Sequence, residues 1–141
     1  MSIAAADRAA VAHFIRVCGS GVVASIGADG APQAAYVGLT ATDDGVLVFD
    51  AKSDSRKVGN IRERPRVALA VTGADISVQL EGSARIAHDE ERWRLGEVYS
   101  ERFPGSRALD AGFALIAVEV RWVRVHDADE HPPRIDEATW Q

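Results

Sequence analysis

The sequence is poor in several residue types that mark particular classes of protein. It contains one cysteine, one methionine and two lysines among 141 residues. Because the lone thiol of Cys18 cannot form an intrachain disulfide, we expect a protein of the reducing cytoplasm. The four histidines are scattered and neither a CxxC nor an HExxH spacing occurs, so no metal site is expected. No residue stands out as a general base, and the sequence assigns no catalytic residue.

Excess positive charge and long apolar runs are missing as well. The formal net charge is −5, whereas a general nucleic-acid-binding protein carries a basic face. No stretch approaches the ~20 apolar residues of a membrane span, and Asp7 and Arg8 interrupt the N-terminal segment before a signal-peptide core could form. With 47% apolar and 26% charged residues the sequence is typical of soluble proteins, and we expect a single domain over residues 1–141.

Both lysines lie in one short basic segment. A helix is predicted to begin there, with Ser53 or Asp54 as its N-cap, and to end before Pro65. Arg56 and Lys57 then fall in the first turn, where the helix dipole disfavours cations by roughly 0.3–1 kcal/mol each. An anion bound to the first turn would remove this conflict. A solvated basic turn, partly offset by Asp54, is the alternative that the residues alone leave open.

The rest of the chain is mostly strands. Period-two alternation and short apolar runs predict six of them, over residues 22–26, 33–41, 46–49, 67–71, 76–87 and 113–126. Helical spacing predicts two further helices, over residues 5–17 and from Asp89 to just before Phe103. Gly82 interrupts the fifth strand, and the apolar phase of the sixth slips after Trp122, which predicts a β-bulge. The tail 127–141 is polar and is expected to extend across a surface.

Six strands of uneven length, mostly linked as hairpins and flanked by helices, predict a mainly β (α+β) fold built on a small antiparallel barrel. Asp29-Gly30 and Asp44-Gly45 supply two of the hairpin turns. There are no βαβ repeats, no GxGxxG and no GxxxxGK[ST]. A Rossmann or P-loop fold is therefore not expected.

With the elements in this order, the sequence resembles the pyridoxamine 5'-phosphate oxidase-like family of FMN-binding split β-barrels. The resemblance covers about residues 8–125 and rests on the two hairpin turns and on three motifs, Ser55-Arg56-Lys57-Val58, Pro65-Arg66-Val67-Ala68-Leu69 and Leu80-Glu81-Gly82-Ser83-Ala84. It implies a six-stranded antiparallel split β-barrel. It also implies a homodimer with two FMN molecules in grooves between the subunits, and an FMN-dependent oxidoreductase that acts on a small molecule.

The resemblance further implies a set of cofactor-binding residues. Arg56 and Lys57 would hold the FMN phosphate, with Ser55 assisting. The isoalloxazine ring would lie against residues of the second, third and fifth predicted strands, namely Tyr36, Val37, Gly38, Phe49, Asp50, Ala51 and Ser77. A last-strand residue, either Trp122 or His126 of the partner subunit, would complete the site.

Departures from the family pattern leave other functions open. Where the oxidase proper has a basic residue that contacts the FMN phosphate, this chain has Ala34-Ala35. Where the oxidase has a lysine that meets the substrate phosphate, this chain has Thr40, so we expect a substrate other than pyridoxamine phosphate. The alternatives are a flavin-binding or storage module without turnover, a relative that binds a deazaflavin or haem on the same fold, and a dimeric scaffold with an empty groove.

Overall fold

Three helices flank a curled sheet of eight strands within residues 2–141, the part of the chain that the computed structural model describes; Met1 lies outside it. The helices are α1 (Arg8–Cys18), α2 (Arg56–Glu63) and α3 (Asp89–Arg102). No helix of this part of the chain is long and apolar enough to cross a membrane. The strands are β1 (Ser20–Ile26), β2 (Pro32–Gly38), β3 (Thr40–Ala41), β4 (Leu47–Lys52), β5 (Arg66–Gly73), β6 (Ile76–Ile86), β7 (Phe113–Asp127) and β8 (Arg134–Thr139).

The strands pair antiparallel in the order β2-β1-β5-β6-β7-β4-β3, and β8 pairs with the free part of β7. The sheet curls until β2 contacts β4, but these two strands share no ladder hydrogen bonds. The barrel is therefore split between β2 and β4. Helix α2 connects β4 to β5 and packs against β1 and β6. The predicted mainly β fold, an antiparallel split barrel with flanking helices, is confirmed.

The core follows from the alternation of side chains along the strands. Val23, Leu69, Leu80 and Val123 pair successively across β1, β5, β6 and β7, and all four are buried. Helix α1 covers one end of this core with its apolar stripe. A second apolar cluster lies between α3 and the outer side of β4 and β7. These two clusters hold α1 and α3 against opposite faces of the sheet edge formed by β3 and β4.

The predicted bulge lies between β6 and β7. The register shifts between Glu81 and Gly82, so that Arg121 is the extra residue on β7. Glycine is required at position 82, because a Cβ there would lie 2.1 Å from the carbonyl oxygen of Glu119. The phase slip of the sequence therefore located the irregularity correctly.

Two details of the strand prediction were wrong. The strand predicted over 33–41 is broken at Leu39, whose N–H donates to the carbonyl of Gly19. The chain pairs with β1 up to Gly38 and with β4 from Thr40 onward. The polar tail contains the edge strand β8. Because one side of this strand is unpaired, its apolar–polar alternation is weak and was not recognised in the sequence. Together these raise the number of strands from six to eight. Trp140, after β8, is buried and donates from Nε1 to the carbonyl of Ala5.

Candidate functional site

A cavity of about 250 Å³ opens at the start of α2, and we call it the α2 cavity. It lies between the first turn of α2 and the strands β1 and β2, next to the split in the barrel. Ser55, Arg56 and Lys57 line it from the helix side. The strand side is contributed by Val23, Ser25, Gln33, Ala34 and Ala35. The structure thus brings together the three residues that the sequence predicted for the FMN phosphate.

The N-cap of α2 is Ser55, and the predicted caps Ser53 and Asp54 were wrong. The N–H of Ser55 donates to the carbonyl of Lys52, so a separate turn precedes the helix and delays its start. The Ser55 hydroxyl does not cap the helix. Its Oγ is buried without a hydrogen-bond partner among residues 2–141. A buried hydroxyl without a partner costs free energy, and a ligand in the α2 cavity would supply one.

The charge pattern of the first turn agrees with an anion site. The first turn of α2 contains no acidic residue, and its N–H groups have no intrahelical acceptors. Within the described part of the chain, neither Arg56 nor Lys57 forms an ion pair. The α2 cavity therefore presents hydrogen-bond donors and two cations at a helix N-terminus. This donor set fits a phosphate group.

The floor of the α2 cavity is a polar network that sequence analysis missed. Asn60 Nδ2 donates to Ser25 Oγ and to Gln33 Oε1, both at 3.0 Å. The network joins α2 to β1 and β2. One signal in the sequence could have found it: Ser25 is on the core-facing side of its strand, two residues after buried Val23, where a polar side chain needs a buried partner.

The β2 residues predicted to face the flavin ring lie on an edge strand. Tyr36, Val37 and Gly38 pair with β1 on one side only, so alternate main-chain groups of β2 are open on the other side. The Tyr36 side chain is 76% exposed and its hydroxyl lies 2.6 Å from Ser20 Oγ. An open edge of this kind can hydrogen-bond a planar heterocycle through its backbone.

The β4 residues predicted for the ring differ among themselves. Phe49 is fully buried in the core, so its side chain cannot contact a ligand and only its main chain remains available. Ala51 is also buried. Asp50 Oδ1 lies 3.1 Å from the hydroxyl of Tyr99 on α3, which is 3.4 Å from the carbonyl oxygen of Gly38. Tyr99 thereby bridges β2 and β4 at the split.

The environment of Tyr99 keeps its hydroxyl protonated. Burial, reinforced by the negative charge of Asp50, raises the pKa of Tyr99 well above its ordinary value near 10. The hydroxyl is therefore a neutral donor whose one proton is shared between Asp50 and the carbonyl oxygen of Gly38. It stiffens the edge of the split barrel next to the β2 backbone.

Ser77 and His126 lie together, but away from the α2 cavity. They are cross-strand partners on β6 and β7. The strand pairing across β5 places Glu81 of β6 at the same level of the sheet as Ala24 of β1. Ser77 lies four residues further along β6, so it is displaced from that level by roughly 13 Å. Ser77 and His126 therefore do not line the α2 cavity with Arg56 and Lys57.

Trp122, the other last-strand residue considered from the sequence, lies beside the bulge. It lines a shallow depression of about 550 Å³ on the outward face of the sheet, together with Ala24, Ala68 and Gly82. The depression is open, and Arg66, Glu81 and Arg121 also line it. The α2 cavity differs from it in lying at a helix N-terminus beside a buried hydroxyl, Ser55 Oγ, that has no partner among residues 2–141.

Comparisons with known proteins agree with this fold. A sequence model described as pyridoxamine 5'-phosphate oxidase matches residues 8–127. Among curated proteins, none matches the sequence. A conserved hypothetical protein from Mycobacterium tuberculosis is 25% identical, with a TM-score of 0.75 over 91% of this chain and 91% of that one.

Two further solved structures share the fold. A pyridoxamine 5'-phosphate oxidase-related, FMN-binding protein from Nostoc punctiforme is 13% identical, with a TM-score of 0.68 over 95% of this chain and 96% of that one. A haem-binding protein from Mycobacterium smegmatis is 19% identical, with a TM-score of 0.73 over 99% of this chain but only 59% of that one. At these identities the likeness concerns the fold.

Proposed function

The chain belongs to the pyridoxamine 5'-phosphate oxidase family, and we propose that it is a flavoprotein that binds FMN and acts as an oxidoreductase on a small molecule. The observation that carries this proposal is the donor set of the α2 cavity. Ser55 Oγ is buried without a partner, and Arg56 and Lys57 are free of protein ion pairs within residues 2–141. The terminal phosphate of FMN would satisfy all three.

The residues of the chain would then bind and orient the cofactor. Arg56, Lys57 and the first-turn N–H groups of α2 would hold the phosphate, and Ser55 would donate its hydroxyl. The open main chain of Tyr36, Val37 and Gly38 would hydrogen-bond the ring. Bound FMN supplies hydride-transfer chemistry, so the protein needs no general base of its own. The substrate is expected to differ from pyridoxamine phosphate, because Thr40 stands where the oxidase proper has a lysine that meets the substrate phosphate.

We also propose a homodimer in which the partner completes each flavin site. By register, Tyr36, Val22 and Ala70 form a row across the outward face of the sheet, and Ser77 and His126 lie on this same face. Val22, Ile26 and Tyr36 are exposed in the protomer. A second copy covering this face would bury them and could bring its Ser77 or His126 to the flavin. A cytoplasmic location, expected from the single cysteine, stays a prediction.

The first test is spectroscopic. Purified protein should be yellow, with the visible absorption bands of oxidised flavin, and should bleach when an electron donor such as NADPH is added. Bands that do not bleach with any donor would favour a storage module, and the Soret band of haem would favour the function of the Mycobacterium smegmatis relative. Protein that is colourless after incubation with FMN would contradict the proposal.

The second test removes the charges of the phosphate site. The double variant Arg56→Ala/Lys57→Ala should lose about 3–5 kcal/mol of FMN binding, because charge-assisted hydrogen bonds contribute roughly 1.5–3 kcal/mol each. Titration of flavin fluorescence measures the loss. The matched control is Lys52→Ala/Arg62→Ala, which removes the same charge near α2 but outside the cavity lining. Equal affinity of the two double variants would show that the phosphate binds elsewhere.

A further inference from the structure

A groove of about 530 Å³ lies between α1 and α3, over the short strand β3, and we call it the α1–α3 groove. Thr40 and Ala41 of β3 form its base, and both are 1% exposed. Arg16 lines it from α1, and Arg94 and Arg102 line it from α3. None of the residues that line the α2 cavity lines this groove. The groove is therefore a separate candidate site.

The hydroxyl of Thr40 faces α3 and has no protein partner. Thr40 pairs with Val48 of β4, and cross-strand partners place their side chains on the same face of a sheet. Val48 belongs to the apolar cluster under α3, so the Thr40 side chain points to that side, whereas Ala41 lies in the barrel core. Within residues 2–141, Thr40 Oγ1 is buried without a hydrogen-bond partner. Because such a hydroxyl is costly, an acceptor on a ligand in the groove would stabilise it.

The guanidinium of Arg16 lies over the same base. Its Nη1 donates to the carbonyl oxygen of Ala41 at 3.0 Å, next to Thr40 in the chain. Nη1 also lies 3.4 Å from Asp43 Oδ1, but the Asp43 side chain is 99% exposed, and an exposed ion pair of this kind contributes little. The other N–H groups of Arg16 donate to no protein acceptor in the described part of the chain. They remain available to an oxyanion beside the Thr40 hydroxyl.

The two arginines of α3 differ in what they contact. Arg102 Nε donates to the carbonyl oxygen of Arg16 at 2.7 Å and its guanidinium lies against the C-cap of α1, so Arg102 joins the two helices and is assigned no ligand. Arg94 lies at the rim of the groove, with 62% of its side chain exposed. Asp43 and Glu101 also line the groove, so three arginines stand against two carboxylates. This small positive excess matches a single carboxylate better than a dianionic phosphate.

We propose that the α1–α3 groove binds a small carboxylic acid, whose carboxylate accepts hydrogen bonds from the Thr40 hydroxyl and from Arg16. The apolar part of the acid would pack on Val98, which lines the groove from α3. This ligand is distinct from the flavin phosphate held at the start of α2. The inference therefore goes beyond the proposed function and does not rest on it.

The first test is Thr40→Val, which replaces the hydroxyl by a methyl group of nearly the same shape. Because the hydroxyl has no protein partner, the melting temperature without ligand should be unchanged or higher. A group that is kept at a cost to stability is typical of a binding site. Thr139→Val, at an exposed position of β8, is the matched control and should leave the melting temperature unchanged. If Thr40→Val melts several degrees lower, the hydroxyl serves the fold and the inference is wrong.

The second test is titration of ¹⁵N-labelled protein with butyrate, a carboxylate with a short apolar chain. Amide chemical shifts are expected to change in β3 and along the groove side of α3, while the first turn of α2 should not respond. Thr40→Val and Arg16→Gln should each raise the dissociation constant of butyrate about tenfold or more, since each removes a hydrogen bond to a charged group. Arg62→Gln, at an exposed position of α2 outside the groove, is the charge-matched control and should bind butyrate normally.

The outcomes are independent of the flavin proposal, because the titration uses the protein as purified, whether or not it holds a flavin. If the groove does not respond to butyrate, or if both variants bind it as tightly as the unmodified protein, the inference is overturned while the flavin proposal stands. Inorganic phosphate is the second probe, and a groove that responds to phosphate but not to butyrate would overturn the assignment to a carboxylic acid. Should Arg16→Gln fail to fold, because Arg16 also joins α1 to β3, Thr40→Val still decides.

Discussion

At the scale of single residues, Tyr99 shows how one side chain can set the geometry beside a ligand site. Its hydroxyl lies between a carboxylate of β4 and a carbonyl of β2, two strands that share no ladder hydrogen bonds. It is the polar link from α3 across the split. The ring itself packs on Phe103, with centroids 4.7 Å apart. Removing only the hydroxyl of Tyr99 therefore tests its hydrogen bonds and leaves the ring packed in the apolar cluster.

We expect Tyr99→Phe to lower the free energy of unfolding at pH 7 by about 1 kcal/mol, because Asp50 and Gly38 lose a buried donor. The difference should depend on pH. The folded pKa of Tyr99 is raised, so its contribution is complete below the unfolded value near 10 and is lost as the pH rises toward the folded value. Urea unfolding at pH 7 and above pH 10 measures this. A difference that grows at alkaline pH would contradict the assignment.

The residues also show which features a single sequence reveals. Arg56 and Lys57 were predicted to lie in the first turn of a helix and they do, because capping and spacing are local signals; their binding of an anion stays a prediction. Ser25 and Gln33 were missed because their role depends on Asn60, 35 and 27 positions away. Long-range hydrogen-bond partners leave no periodic signal in a single sequence. Phe49 was placed at the ring, but burial in the core removes its side chain from any ligand.

At the scale of elements, Arg85 links helix α3 to the sheet. Arg85 of β6 donates to both oxygens of Glu91, at 3.1 and 2.7 Å, and to Glu119 of β7 at 3.0 Å. The hydrogen bonds from Arg85 lower the pKa of Glu91. A carboxylate with a lowered pKa stabilises the fold above its unfolded value, near 4.3, and loses that effect as the pH falls through the folded value.

We therefore expect Glu91→Gln to cost about 0.5–1 kcal/mol at pH 7, a modest value because the pair is partly exposed to solvent. The cost should vanish as the pH falls below the unfolded value near 4.3 and through the lowered folded pKa, where Glu91 protonates in the unmodified protein. Glu90→Gln is the matched control, since Glu90 lies in the same first turn and gives up the same dipole interaction without an ion pair to Arg85. Thermal unfolding across this pH range makes the comparison. Identical pH profiles for the two variants would show that the Arg85 contact contributes nothing.

Strand β8 fastens the N-terminal segment. Asp136 accepts from the N–H of Ala5 at 2.7 Å, and Arg134 donates to the carbonyl of Ile3 at 3.0 Å. Trp140 then donates to the carbonyl of Ala5, and Arg8 lies over its ring at 4.7 Å from the centroid. The tail was predicted to be only a polar extension, because an edge strand with one open face has few apolar residues to reveal it.

We expect Trp140→Ala to lower the free energy of unfolding by about 3–5 kcal/mol, the usual cost of removing a large buried side chain together with its hydrogen bond. Ile135→Ala, on the exposed side of the same strand, should cost less than about 1 kcal/mol. Denaturant unfolding of both variants gives the comparison. Similar losses for the two would mean that β8 pairing, rather than the buried indole, holds the tail.

At the scale of the whole molecule, the separation of two groups of predicted residues has a consequence for assembly. Ser77 and His126 lie roughly 13 Å along the sheet from the level of the α2 cavity, on the outward face. We propose that a second copy supplies them to a flavin held by Arg56 and Lys57. The sequence could not reveal this separation, because it follows from strand register and from the curl of the sheet. The proposal of a shared site thus stands or falls with the oligomeric state.

We expect Val22→Glu to convert a dimer to a monomer without unfolding it. Val22 is at the centre of the outward apolar row between Tyr36 and Ala70 and is 39% exposed in the protomer, so a carboxylate there is hydrated in the monomer but buried without a partner in the dimer. Light scattering after size exclusion should give twice the chain mass for the unmodified protein and the single mass for the variant.

The control is Trp93→Glu, which places the same charge at a 63% exposed apolar position on α3 and should leave the mass unchanged. Because the flavin sites would be shared between subunits, Val22→Glu should lose FMN affinity together with the dimer, and the loss should shrink at protein concentrations that restore association. A variant that is monomeric yet binds FMN as tightly as the dimer would show that one protomer forms the complete site. In that case Ser77 and His126 have no contact with the cofactor, and the donors of the α2 cavity and the β2 edge must hold it alone.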